Sequence, residues 1–573
     1  MRSPLLHATR LLAVSTLILS LSTTYAQEAQ PKGKAVTTYG NVTIEKFDRL
    51  KGSFDLSGLL ITGKETIITV PYPRSRATLK IHADTITTKR TKSDYFATTE
   101  LVAHVRFKIM QKLASGKERI LEGTSERATF RRDNEQVKLS GNVVATVTDD
   151  ENLMEPAKLQ AEHLTVDIHS VPYRYSLVGG QGSNQIRLIT RPKTPKNPDP
   201  KKKPESPKHI TISGYHTASF QASEQSVFEG EGTTIEFSEQ DGKLTATLAA
   251  PYIKTEMLGE NGSLSGAEMR GGIHYTLHLV HPETKTEEVL LGTAKHGTYS
   301  FLKNNLVIEG GIQATLNAPD ALMEPAKIRV EKLTLHTITP TRYQLEADPQ
   351  TALFQFTPKQ KEQPKPKPSE TPTETTSPAL PKASFKLGTV RITHFTSGNF
   401  EEDKTADFTG NRLLFETVDN ASGSIARFRT RTMHAEIGKN NVITQVTAAG
   451  NVEYLVQQTP LPDKTKPNEK PVAQLISGNA YKVTLTHTAK QDSLDIAGPF
   501  RTELVLPDQL LEPGLITGAQ GDNINIVLVD GSYGFDITTP NQTSFVRLLP
   551  REIAEPEDKP KADAPLPKGK NKS

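Results

Sequence analysis

Polar and apolar positions alternate with a period of two through much of the chain, and one such stretch occurs three times. Residues 141–156 read GNVVATVTDDENLMEP, 310–325 read GGIQATLNAPDALMEP, and 498–513 read GPFRTELVLPDQLLEP. Before the leading glycine stand Val137 and Leu139, Leu306 and Ile308, Leu494 and Ile496. After it come Val143, Ala145 and Val147, then Ile312, Ala314 and Leu316, with Phe500 and Leu504 in the third copy. This spacing puts the apolar side chains on one face of a β-strand, and that face is predicted to be buried. The glycine lies between two alternations, so it predicts a bend or bulge rather than a helix end. The Glu-Pro pair interrupts the ladder, because proline donates no N–H and forces its predecessor to be extended. Another strand follows: Leu164, Val166 and Ile168; Leu333 and Leu335; Ile524, Ile526 and Leu528. The motif therefore reads strand, bulge, strand, proline corner, strand.

The interval from glycine to glutamate is the same in Gly141–Glu155, Gly310–Glu324 and Gly498–Glu512, and Leu153-Met154-Glu155-Pro156-Ala157-Lys158 recurs unchanged as Leu322–Lys327. Each copy also opens with a similar phrase: Gly52-Ser53-Phe54, Ala218-Ser219-Phe220, Gly398-Asn399-Phe400. A weaker echo inside the copies, Gly271-Gly272-Ile273 and Gly450-Asn451-Val452, divides each into two smaller β repeats, the mark of a stacked, quasi-one-dimensional architecture. The predicted layout is a first β unit over 36–190, a second over 209–358 and a third over 383–550, the last with an insertion near 460–471. The spacers 191–208 and 359–382 are rich in Pro and Lys, which favours an extended polyproline conformation. The alternative is that they are loops thrown out of one sheet stack whose strands pair across them. Residues 551–573 are Pro-, Lys- and acid-rich and are expected to be disordered.

Composition adds compartment and constraint. Residues 1–26 have Arg2 and Arg10, an apolar run over 11–21 and Thr24-Tyr25-Ala26, so a secretory signal cleaved near Ala26 and a periplasmic product are expected; the alternative is an uncleaved N-terminal anchor. The absence of cysteine excludes disulfides and a lipid-bearing N-terminal cysteine, so stability rests on ladders and burial. Aromatic residues are 6% of the chain and Trp is absent, which predicts thin cores of Val, Ile, Leu, Ala and Thr. The formal charge of +4 sits in the wrong place for nucleic acid: 191–208 alone carries seven basic and two acidic groups, and the β units are mildly acidic.

Candidate chemistry is sparse. His274, His278 and His281 have the i, i+4 spacing of a helical metal pair, but the flanking Ile273, Leu277, Leu279 and Val280 argue for a strand, where four residues span about 13 Å. Gly262-Ser263-Leu264-Ser265-Gly266 places leucine where a nucleophile elbow needs serine, and Gly230-Glu231-Gly232 lacks the third glycine of a dinucleotide loop. Glu155, Glu324 and Glu512, each before proline, read as corner formers. No catalytic, metal or cofactor site is predicted, and the chain is not expected to be an enzyme.

Ala128-Thr129-Phe130, then Val137-Lys138-Leu139-Ser140-Gly141-Asn142-Val143, then Pro156-Ala157 and Leu164-Thr165-Val166-Asp167 resemble the OstA-like (LptA/LptC) family of lipopolysaccharide-transport proteins. Gly310-Gly311-Ile312 and Gly498-Pro499-Phe500 share the rhythm more loosely. The resemblance implies an all-β fold of three stacked, antiparallel, taco-like β-jelly-roll units. It also implies an apolar groove that shields the acyl chains of lipopolysaccharide or another lipid, and open sheet edges that pair with other transport-bridge proteins. Under it, Val143, Val147, Leu164, Val166, Ile312, Leu316, Leu333 and Leu335 are candidate groove residues. The chain departs from the family in having three copies and long Pro-Lys spacers, and it lacks the outer-membrane member's C-terminal barrel. A structural envelope protein of three β-sandwiches that binds protein or cell-wall partners is the alternative.

Overall fold

The computed structural model describes residues 35–191, 207–359 and 388–547, apart from short internal stretches. The expected signal, nearly all of both spacers, the 460–471 insertion, Ser53-Phe54, residues 506–512 of the third motif and the tail lie outside the described residues. Within them the chain is all-β, with 34 strands and no helix, and the described pairings are antiparallel. No helix among them is long and apolar enough to cross a membrane. Two compact units result: residues 1–191 with 210–229 and 258–263, and residues 192–209 with 230–257 and 264–573.

In the first unit, Leu59–Tyr72, Ala77–Lys89, Thr98–Lys112, Glu118–Arg131, Gln136–Asp149 and Ala157–Asp167 pair in sequence order as a meander. Every one of these ladders slips near its middle: between Thr62 and Thr66, His82 and Thr85, Val102 and Val105, Thr124 and Arg127, Ser140 and Val143. The row of bulges divides each strand of 11–15 residues into two halves; the inward parity is kept across it in Thr98–Lys112 and Gln136–Asp149 and switches in the other four, as from Leu159 and Ala161 to Leu164 and Val166. Val137 and Leu139 before the bulge, and Val143, Ala145 and Val147 after it, are all buried.

The motif glycines are these bulges. Gly141 and Asn142 have φ of +78° and +46°, Gly310 and Gly311 +89° and +63°, and the weaker echoes Gly271-Gly272 and Gly450-Asn451 repeat the left-handed pair. Only Gly enters this region freely, with Asn the next most tolerant. Gly498 does not follow the pattern: its successor Pro499 has φ locked negative, and a Cβ on Gly498 would instead stand 2.0 Å from the Ala519 carbonyl oxygen. Nothing lies within 4 Å of the position a Cβ would occupy on Gly311, so only backbone strain governs substitution there. Gly311→Asn is expected to be near neutral and Gly311→Val to cost about 1–2 kcal/mol, as read from denaturant midpoints.

In the second unit, Glu287–Ser300, Asn305–Asn317 and Leu322–His336 repeat the meander. The Glu-Pro pair is gentler here than a corner. Glu324-Pro325 lies inside the strand Leu322–His336, in an interval where the ladder to Leu353–Pro358 slips between Glu324 and Lys327, so the missing proline N–H interrupts no bond. The two halves of this strand pair with Arg342–Glu346 and Leu353–Pro358. Those pair in turn with Ser397–Glu401 and Thr389–Thr393, which pair with Thr405–Val418. The strands on either side of 359–382 thus join edge to edge, and the second and third copies share one compact unit. The opening phrase supplies the joining strand. Gly398-Asn399-Phe400 pairs with Leu345, Gln344 and Tyr343, and in the first unit Ala218-Ser219-Phe220 pairs with Leu177, Ser176 and Tyr175.

Candidate functional site

The repeated motif ends in a turn at the margin of each sheet, with the same backbone in both described copies. In the first, Asn152 N and Leu153 N donate to the Asp149 carbonyl at 3.1 and 2.9 Å, and Arg191 N donates to the Asn152 carbonyl at 2.9 Å. In the second, Ala321 N and Leu322 N donate to the Ala318 carbonyl at 3.0 and 2.8 Å, and Lys359 N donates to the Ala321 carbonyl at 2.7 Å. Two equal backbones therefore carry different side chains over the interior.

In the first unit that place is filled by charge. Arg119, on the strand paired with Asp149, donates through Nε at 3.0 Å and through Nη2 to Asp149 Oδ2, and the two are only 8% and 4% exposed. Asp149 also accepts from Asn152 Nδ2 at 3.0 Å and from Glu151 N at 3.2 Å, so its turn and its ion pair share one carboxylate. Burial opposes ionisation of Asp149, but the Arg119 guanidinium and these N–H donors outweigh it and hold the carboxyl below its ordinary range. The guanidinium lies 5.8 Å from the ring centroid of the fully buried Tyr173. Behind it Gln111 donates to the carbonyls of Ser75 at 3.1 Å and Ser170 at 2.8 Å and accepts from Tyr173 N at 2.7 Å. The result is a hydrogen-bonded polar layer in a largely apolar interior, in which the Tyr173 hydroxyl and Asn152 Oδ1 are left without a hydrogen-bond partner among the described residues.

In the second unit the same positions hold Glu288 and Ala318, each numbered 169 above its counterpart, as Gly310 is above Gly141. Glu288 and Ala318 lie one position beyond the paired Val289 and Asn317. Instead of a filled layer there is a cavity of about 50 Å³. The motif contributes Leu316, Ala318, Ala321, Leu322, Ala326 and Ile328 to its wall. Aromatic residues from the joining strands close it: Phe354 lies 5.3 Å from Phe356 and 6.4 Å from Phe400, and Tyr343 lies 5.8 Å from Phe400. Glu288, half-buried, is the one charged residue in the lining.

Of the eight groove candidates, Leu316 alone lines this cavity. Val143, Val147, Leu164 and Val166 are core of the first unit, and Ile312, Leu333 and Leu335 core of the second, all 5% exposed or less. The alanines and rings of the wall were not among the candidates. The opening phrase that ends in Phe400 was the signal that marked one of them. His274 and His278 lie in the strand Ser263–Val280, and His278 Nδ1 meets Glu287 Oε1 at 2.5 Å. Among the described residues no group of three or more His, Asp or Glu is arranged to hold a metal. A scan against protein-family models finds no match, and no curated protein matches the chain.

Proposed function

We propose that the protein is a non-enzymatic, exported lipid-binding bridge or scaffold of the OstA-like kind, which carries lipopolysaccharide or a related lipid toward the outer membrane. The observation that carries this reading is the apolar cavity beneath the repeated turn of the second unit, framed by the motif that carries the resemblance. Sheet edges support the expected partners. Among the described residues, Ser532–Thr538 and Phe545–Arg547 are paired on one side only, whereas their counterparts Arg342–Glu346 and Leu353–Pro358 are paired on both. Phe545 and Val546 are exposed on that edge, an arrangement suited to strand addition by another bridge protein. The test is mass spectrometry of the full chain purified from a lipopolysaccharide-producing host, followed by binding assays on the delipidated protein. Co-purified lipid that rebinds is expected, and a protein that carries none and binds none overturns the reading.

The filled interior of the first unit favours a second reading, a structural envelope protein whose β units bind protein or cell-wall partners. That reading expects no lipid in the same experiment.

A further inference from the structure

We propose that the two units are not equivalent toward apolar ligands: the cavity of the second takes the end of one saturated alkyl chain, and the Arg119–Asp149 pair plugs the corresponding place in the first. This inference rests on the lipid-handling reading and adds which copy holds the chain, how much of it, and what excludes it elsewhere.

Size sets the ligand class. Water needs roughly 10–15 Å³ measured in this way, so about 50 Å³ has room for about four methylene-sized groups. That is the tip of one chain, not a multi-chain lipid. The lining sets its chemistry. Leu316, Ala318, Leu322, Ile328, Phe354 and Phe400 present no side-chain donor or acceptor, and Glu288 and Tyr343 alone bring side-chain polar groups to the lining, so water would find few partners there and a hydrocarbon end would lose none. Leu322 lines the cavity, and its neighbour Met323 is 67% exposed. Met154 stands at the matching place in the first unit and is 48% exposed, but beneath it the interior holds a buried ion pair. The exposed methionine is common to both copies, and the residues at positions 119 and 149 or 288 and 318 decide occupancy.

Two substitutions transfer the plug. Glu288→Arg with Ala318→Asp places the Arg119–Asp149 pair at its equivalent positions, and Arg119→Ala with Asp149→Ala removes the original and leaves its space open. The probe is laurate labelled with ¹³C at its terminal methyl, added to the delipidated full chain, with stoichiometry from native mass spectrometry and the methyl shift from NMR. The expected result is one bound equivalent whose methyl signal moves upfield under the ring currents of Phe354 and Phe400. Plug transfer should weaken binding at least tenfold, and removal of the original plug should add a second equivalent. Melting curves establish that each variant folds. Should the transferred plug fail to fold, Ala318→Leu fills the cavity without charge and is expected to abolish the shifted signal. Several equivalents that persist unchanged after plug transfer overturn the copy assignment and leave lipid handling standing. No binding of laurate, together with no co-purified lipid, overturns both.

Discussion

Asp149→Ala is expected to destabilise the first unit by about 3–5 kcal/mol, because it leaves the Arg119 guanidinium buried without its counter-charge. The tyrosine ring beside it offers a cation–π contact, but at 5.8 Å from an enclosed guanidinium it replaces little of a two-donor bond to a carboxylate. The turn suffers too, since Asn152 Nδ2 and Glu151 N lose their acceptor. Replacing both charges by leucine is expected to cost much less, because the desolvation of the pair disappears with the pair. The comparison of single and double variants by urea unfolding checks this, and a single variant that melts like the parent contradicts it. The pH dependence has a definite sign. The folded carboxyl lies below its ordinary value, so the stability it contributes is present above the unfolded value of about 3.9 and is lost as pH falls through the lower folded value. Asp149→Asn should flatten that acid limb.

The strand content was legible because the periodicity of two survives the bulges: Val137, Leu139, Val143 and Val147 keep one parity across Gly141, and all four are buried. The bulges were legible because glycine recurs where a left-handed pair is needed, and Asn142 and Asn451 occupy its second position at tolerable cost. The exception at Gly498-Pro499 was equally readable, since proline at the second position forbids the pair. The interior was harder to read. Alternation identifies an inward side chain but not what stands opposite it, so Leu316 beside a cavity and Val147 in a filled core look alike in sequence. The difference arises from positions 119 and 288, which are polar residues on strands remote in sequence from the turn they face, and no local pattern links them to it. The Pro-Lys spacers misdirect in another way. Their composition says that the segment itself does not pair, and it says nothing about flanking strands such as Leu353–Pro358 and Thr389–Thr393, whose open edges find each other.

That edge pairing makes Phe408→Ala the strongest test of the second unit, with an expected loss of about 3–5 kcal/mol. Phe408 is 1% exposed and lies at the junction of the strands that flank the spacer. Its ring centroid is 5.9 Å from that of Phe354, at an interplanar angle of 30°, and 5.2 Å from that of Phe395 in an edge-on arrangement. Gly398 gives it room, since a Cβ there would stand 2.7 Å from the ring. Phe354 precedes residues 359–382, whereas Phe395, Gly398 and Phe408 follow them, so truncation removes contacts on both sides at once. If the second and third copies unfold as one body, amide exchange in Asn305–Asn317 and in Val442–Gln458 should accelerate together in the variant. Independent lobes on a spacer would leave the first of these strands at its parental rate, because among the described residues Asn305–Asn317 pairs only with strands that precede the spacer. Equal acceleration therefore means that the stability of the cavity wall, to which both copies contribute, is set by the junction as well as by the motif.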